Sequence, residues 1–138
     1  MKRNLIKDIN NLKKIRPLVC LTAYTSSIAK IIDKHSDIIL VGDSVGTVIY
    51  GMKNTQLVNL EMMKNHGKAV YDNSKKAFTI IDMPYATYKN KKEALNNAKI
   101  LINYTNCQSV KLECNDQTVK IVNHLAKNKI NVVSHIGV

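Results

Sequence analysis

Four short apolar runs in this sequence end in side chains that can do chemistry. Asp43 and Ser44 follow the run Asp37–Val41, and Asp82 closes Phe78–Asp82. Lys111 and Glu113 end Ser109–Glu113, and His135 ends Ile130–His135. If these runs are parallel strands, ligands collect at their C-terminal ends, and four successive strands bring ionisable groups to one rim. Carboxylates from Asp43, Asp82 and Glu113 suit a hard divalent cation. Magnesium takes oxygen ligands, keeps several waters, and holds to one or two carboxylates plus oxygens of the substrate. A 2-oxo acid presents a keto oxygen and a carboxylate oxygen in chelating geometry. A metal bound there acts as a Lewis acid and stabilises the enolate formed when the adjacent carbon loses a proton. Lys111 can pair with the substrate carboxylate, and Ser44 can donate a hydrogen bond to it.

Each of these residues also has an ordinary structural reading. An aspartate after a strand serves equally as a helix cap or turn residue, which covers both Asp43 and Asp82. Lys111 and Glu113 share one side of a strand by its period of two, and charges facing a parallel core are costly unless paired. His135 can be a hydrogen-bonded core histidine. His35, His66 and His124 lie in or beside helical patterns and carry no assigned role. Gly42-x-x-x-Gly46 lacks the Gly-Lys-Ser/Thr of a phosphate loop. The residues alone support a carboxylate-rich rim and leave the reaction unnamed.

The elements that must position this rim alternate along the chain. Leu5, Ile6, Ile9 and Leu12 form a helical stripe within Met1–Lys14, stopped by Pro17. Leu18–Tyr24 reads as a buried strand, with Cys20 packed in the core. Ser26 or Ser27 caps a helix reaching Lys34. After the second strand, Leu60–Tyr71 reads as a helix capped by Asn59, followed by the strand Phe78–Asp82, which Pro84 stops. The helix Lys91–Tyr104, the strand Ser109–Glu113, the helix Gln117–Asn128 and the strand Ile130–His135 complete the pattern. Near-continuous Ile, Val and Leu in the strands indicate a parallel sheet covered by helices. Two architectures accommodate it: an open five-stranded flavodoxin-like sheet, or the first five strands of a (β/α)8 TIM barrel, whose whole needs about 250 residues. No helix follows the fifth strand, and the segment before the first would cover the bottom of a barrel; both features favour the barrel.

Composition narrows the functional classes. The 138 residues suffice for one domain, 1–138. The formal net charge of +11 comes almost wholly from lysine, with Arg3 and Arg16 the two arginines, and Phe78 is the sole phenylalanine beside no tryptophan. Arginine is the usual reader of bases and bidentate phosphate ligand, and aromatic faces stack single strands, so a nucleic-acid partner is not expected. No apolar run approaches the roughly 20 residues of a membrane span, and no secretory h-region follows the basic N-terminus. Cys20, Cys107 and Cys114 have neither CxxC nor zinc spacing. A cytoplasmic protein with reduced thiols is the expectation.

Five segments, in order and with similar spacing, resemble the strand-end motifs of the ketopantoate (3-methyl-2-oxobutanoate) hydroxymethyltransferase family. They are Leu21-Thr22-Ala23-Tyr24, Leu40-Val41-Gly42-Asp43-Ser44-Val45-Gly46, Asp82-Met83-Pro84-Tyr85, Val110-Lys111-Leu112-Glu113 and His135-Ile136-Gly137. Gly51, Thr55, Met63 and His66 fit the segment after the second strand. The resemblance implies a (β/α)8 barrel of the phosphoenolpyruvate/pyruvate superfamily, assembled as a homodecamer. It implies transfer of a hydroxymethyl group from 5,10-methylenetetrahydrofolate to 3-methyl-2-oxobutanoate, giving 2-dehydropantoate in pantothenate and coenzyme A biosynthesis. It also implies Asp43 and Asp82 at a magnesium ion with Glu113 near it, contacts to the oxo acid from Asp43, Ser44, Asp82 and Lys111, and His135 lining the site.

The sequence departs from the family pattern at four places. Thr25 stands where the family has Asp, Cys114-Asn115 where a Gly-Gly pair is common, and Gln56-Leu57-Val58-Asn59 where Leu-Pro-Val-Thr is usual. The last three strands of the barrel, with the glutamate that serves the family as general base, have no counterpart up to Val138. Five strands would leave an open edge, so the isolated chain is expected to be poorly stable and inactive. Two other readings are a related magnesium-dependent 2-oxo-acid enzyme of the isocitrate-lyase type and a non-catalytic half-barrel remnant.

Overall fold

The computed structural model describes residues 2–136; Met1, Gly137 and Val138, and with them the glycine of the His-Ile-Gly motif, lie outside the described residues. Strands β1 (Cys20–Thr22), β2 (Ile38–Val41), β3 (Phe78–Asp82), β4 (Ser109–Glu113) and β5 (Val132–His135) form one sheet. All adjacent pairs are parallel and the spatial order follows the chain order. A flavodoxin-like sheet would run 2-1-3-4-5. Consecutive order is the winding of a barrel.

The two faces of the sheet confirm it. Ile39, Val41, Ile81, Val110 and Leu112 point to one face and pack with Ala29, Met63, Val70, Ala98, Leu101 and Leu125. Those partners come from helices α2 (Ser26–Ile32), α4 (Leu60–Asn73), α5 (Lys91–Thr105) and α6 (Val119–Lys127), which form a layer on the outside. The alternate residues Ile38, Leu40, Phe78 and Ile80 point the other way and pack on Ile9. Ile9 belongs to α1 (Ile6–Leu12), which lies across the bottom of the inner face. Its anchorage is specific. The Asn4 N–H donates to Lys76 O at 2.8 Å, and the Arg3 guanidinium donates to Ala77 O at 3.0 Å and Tyr71 O at 2.9 Å. These contacts surround the N-terminal end of β3, opposite the rim where ligands are expected.

Side-chain caps set the starts of α2, α4 and α5. The Asn59 side chain accepts the Met62 N–H and Asn90 accepts that of Glu93, satisfying free donors of α4 and α5. The cap of α2 is Thr25, not Ser26 or Ser27, since its hydroxyl accepts the Ile28 N–H. A short helix α3 (Val45–Val48) and a 3-10 turn (Thr55–Leu57) fill the segment after β2, where no regular structure was expected. Helix α1 is shorter than the stripe Met1–Lys14 indicated.

Cys20 is exposed, contrary to the core position expected for it. It lies on β1, an edge strand paired on one side only, and with Val133 on the opposite edge strand it flanks the open inner face. The apolar run around Cys20 reads as core, but among the described residues β1 pairs with β2 alone and its inner face stays open. By contrast Cys107 is buried, and desolvation pushes its thiol up to about 11, a packed and unreactive group.

Candidate active site at the C-terminal rim

The register of the sheet pairs the candidate residues across strands. Asp82 stands opposite Lys111 in β3–β4, and Glu113 stands opposite His135 in β4–β5. Both pairs are closed. The Lys111 ammonium donates to Asp82 Oδ1 at 2.9 Å, and His135 Nδ1 lies 2.8 Å from Glu113 Oε1. The second oxygen of Asp82 accepts the backbone N–H of Asp43 at 3.1 Å, which ties the β2 loop to β3. Gly42 leaves room for the serine hydroxyl: a Cβ there would come within 2.8 Å of Ser44 Oγ, while meeting Asp82 Oδ2 at an ordinary 3.5 Å. The sequence therefore places Asp43, Ser44, Asp82 and Lys111 in one contiguous group, with Glu113 and His135 as its neighbour.

Burial makes this group electrostatically uncomfortable. Desolvation, then the neighbouring Asp82, pushes the Asp43 carboxyl above its ordinary range, while Lys111 and the Thr55 hydroxyl pull it back. Asp82 is also raised, first by desolvation, with Lys111 opposing and Glu113 adding to the rise. Three carboxylates against one ammonium leave two uncompensated negative charges when all are ionised. This all-oxygen donor set with its surplus charge fits a divalent, hard cation. Among the described residues no group of three or more His, Cys, Asp or Glu is placed to enclose a metal ion. Asp43 and Asp82 are drawn together, whereas Glu113 is occupied by His135. Two carboxylates with water and substrate oxygens complete a magnesium shell without a protein cage.

Four further residues join the site that their types did not single out. Tyr24 OH lies 2.7 Å from Ser44 Oγ, and Thr55 supports Asp43. His66 Nδ1 lies 2.6 Å from the Tyr24 carbonyl oxygen. The Tyr88 phenol is raised by desolvation and by Glu113, Asp43 and Asp82, which it faces. Tyr24 falls in a run that reads as a buried strand, Tyr88 stands in a loop, and a tyrosine or histidine carries no spacing signal. A cleft of about 620 Å³ lies beside the group, between the loops after β3 and β4; Tyr85, Tyr88, Glu113 and His135 are among the residues that line it.

The departures from the family pattern have local explanations here. Thr25 caps α2, a task Asp performs equally. Asn59 caps α4 at the end of the altered Gln56–Asn59 stretch. Asn115 accepts the N–H groups of Gln117 and Thr118 through its side chain, turning the chain into α6 without glycine. Among the described residues no helix is long and apolar enough to cross a membrane.

Comparison with known proteins agrees with this geometry. The family model for ketopantoate hydroxymethyltransferase matches residues 3–138. The chain is 47% identical over 135 residues to a 3-methyl-2-oxobutanoate hydroxymethyltransferase of Pelagibacter ubique, covering 98% of this chain and 51% of that protein. It is 43% identical over 132 residues to the enzyme of the same name from Anaplasma marginale, covering 96% and 48%. The chain thus spans about half the length of the curated relatives it matches. Among solved structures it resembles 2,3-dimethylmalate lyase, a member of the PEP mutase/isocitrate lyase superfamily, with a TM-score of 0.64 at 13% identity over 91% of this chain and 50% of that one. It also resembles phosphonopyruvate hydrolase in complex with oxalate and Mg2+, with a TM-score of 0.65 at 11% identity over 89% of this chain and 48% of that one. At such identities the likeness establishes the fold alone: part of an α/β barrel.

Proposed function

The chain belongs to the ketopantoate hydroxymethyltransferase family, and from that membership we propose that its protein transfers a hydroxymethyl group from 5,10-methylenetetrahydrofolate to 3-methyl-2-oxobutanoate, giving 2-dehydropantoate. The observation that carries this reading is the convergence on Asp82, which holds the Lys111 ammonium on one oxygen and the Asp43 N–H on the other. That arrangement fixes two carboxylates and a cation at the end of adjacent strands, beside the hydroxyl of Ser44.

Asp43 and Asp82 would hold a magnesium ion, with Glu113 close enough to add to the negative field. When bound, the ion would supply Lewis acidity toward the keto oxygen and ease loss of a proton from the adjacent carbon. Lys111, held beside Asp82, would attract the carboxylate of the oxo acid, and Ser44 would donate to it. His135 and Glu113 would line the side facing the cleft, where the folate donor has room. The residue that removes the proton is not assigned among these 138.

We further propose that the 138-residue chain alone does not turn over, since among the described residues β1 and β5 each pair on one side only. Its protein is read as cytoplasmic and as a homodecamer, with no nucleic acid or membrane as partner. Thermal melting with magnesium present tests the substrate. 3-Methyl-2-oxobutanoate should raise the melting temperature of the assembled protein, and C4 diacids should not. Protection by the diacids instead would favour a lyase of the same superfamily.

A further inference from the structure

His66 lies outside the carboxylate group, yet it is hydrogen-bonded on both ring nitrogens. Nδ1 is 2.6 Å from the Tyr24 carbonyl oxygen, which can only accept, so Nδ1 carries the proton. In the neutral ring Nε2 is then an acceptor, and the Tyr50 hydroxyl at 2.9 Å donates to it. One histidine on α4 thereby joins the end of β1 to the segment after β2. Its height is fixed by its neighbour Gly67, where α4 sits so close to β3 that a Cβ would come within 2.3 Å of Ile81 Cδ1.

Tyr24 is thus held from both sides. Ahead of it the Ala23 N–H donates to Leu40 O at 3.1 Å, and behind it Thr25 starts α2. Pinned in this way, its phenol meets Ser44 Oγ at 2.7 Å. A phenol is a stronger donor than an aliphatic hydroxyl, so Tyr24 OH donates and Ser44 keeps its own hydrogen free. Donation into the Ser44 oxygen polarises the remaining O–H.

We propose that His66 is a positioning residue: through the Tyr24 carbonyl it fixes the phenol that sets Ser44 as a hydrogen-bond donor to the carboxylate of the 2-oxo acid. The proposal deepens the substrate reading above and rests on it. No redox or covalent step is involved, and His66 itself touches no substrate.

Calorimetric titration of the assembled protein with 3-methyl-2-oxobutanoate, at saturating magnesium, tests the chain link by link. Ser44→Ala should weaken binding about tenfold, the loss of one hydrogen bond to a charged group, and Tyr24→Phe about threefold, the loss of the neutral hydroxyl that polarises Ser44. The double variant should bind no worse than Ser44→Ala. His66→Asn, whose amide N–H can take the place of Nδ1–H, should keep near-native affinity. His66→Gln, which instead mimics Nε2, should fall to the level of Tyr24→Phe. A purely structural role would lower the melting temperature of both His66 variants alike and leave the affinity of the folded protein unchanged. Additive losses in the double variant, or equal affinity for the Asn and Gln variants, would overturn the proposal. Absence of binding by the unsubstituted protein would instead remove the substrate reading, and this proposal with it.

Discussion

Asp82 and Lys111 face one another across the β3–β4 register, and the 2.9 Å ion pair between them is nearly closed to solvent. Side-chain exposure is 7% for the aspartate and 17% for the lysine, so neither charge is well hydrated. An ion pair this buried is a poor source of stability, and removing one partner is costly because the other charge remains. Lys111→Met should therefore destabilise the fold by about 3 kcal/mol in urea unfolding without added metal. Magnesium should restore part of that loss, since a cation beside Asp82 takes over the role of the ammonium. An unchanged urea midpoint would show that the pair carries little energy.

Asp43 presents the opposite case. Its carboxylate is destabilised by burial and by Asp82, so the ionised form strains the metal-free fold at neutral pH. Asp43→Asn should raise the melting temperature without magnesium and abolish any further rise on adding it. A variant that still gains stability from magnesium would remove Asp43 from the proposed ligand set.

Acid sensitivity should centre on Asp37, at the foot of the sheet. Arg16 holds its carboxyl at about 2 by a two-pronged contact, at 2.7 and 2.8 Å, and the Val19 N–H adds a third bond. The unfolded chain has an ordinary aspartate near 3.9, so it takes up the proton first as the pH falls. This contribution is complete above about pH 4 and lost as the pH drops toward about 2. Arg16→Met should move acid unfolding to higher pH, followed by circular dichroism. If Arg16→Met unfolds at the same pH as the parent, the guanidinium does not hold the carboxyl down.

Gly67 offers a packing test. The alanine Cβ would lie 2.3 Å from Ile81 Cδ1 and 3.2 Å from Thr105 Cγ2, both in a buried layer. Gly67→Ala should cost about 1–3 kcal/mol by overpacking. Trimming the obstacle with Ile81→Val should recover most of that in the double variant. Simple additivity of the two losses would mean that the helix moves away rather than pressing on Ile81.

The parallel α/β pattern was legible because each strand is a compact apolar run and each helix shows its own period and a capping residue. Phe78–Asp82 and Ser109–Glu113 match their expected bounds, since both strands are covered on the helix side and paired along both edges. Cys20 misled because its apolar neighbours signal burial whether or not the covering strand is present. The rim residues Asp43, Ser44, Asp82 and Lys111 were legible from position at strand ends. Tyr88 was not, and Tyr24, Thr55 and His66 entered only through the family resemblance, because hydrogen bonds between loops far apart in sequence leave no spacing to read. Glu113 was read as near a metal, and its engagement with His135 follows from a register that only the assembled sheet defines.

The most direct test of the account is product formation by the protein as assembled in its source cell, supplied with 3-methyl-2-oxobutanoate, 5,10-methylenetetrahydrofolate and magnesium. The account predicts that 2-dehydropantoate appears, that chelation of the metal stops it, and that Asp82→Asn does not make it. Protein that binds magnesium and the oxo acid yet forms no 2-dehydropantoate would contradict it.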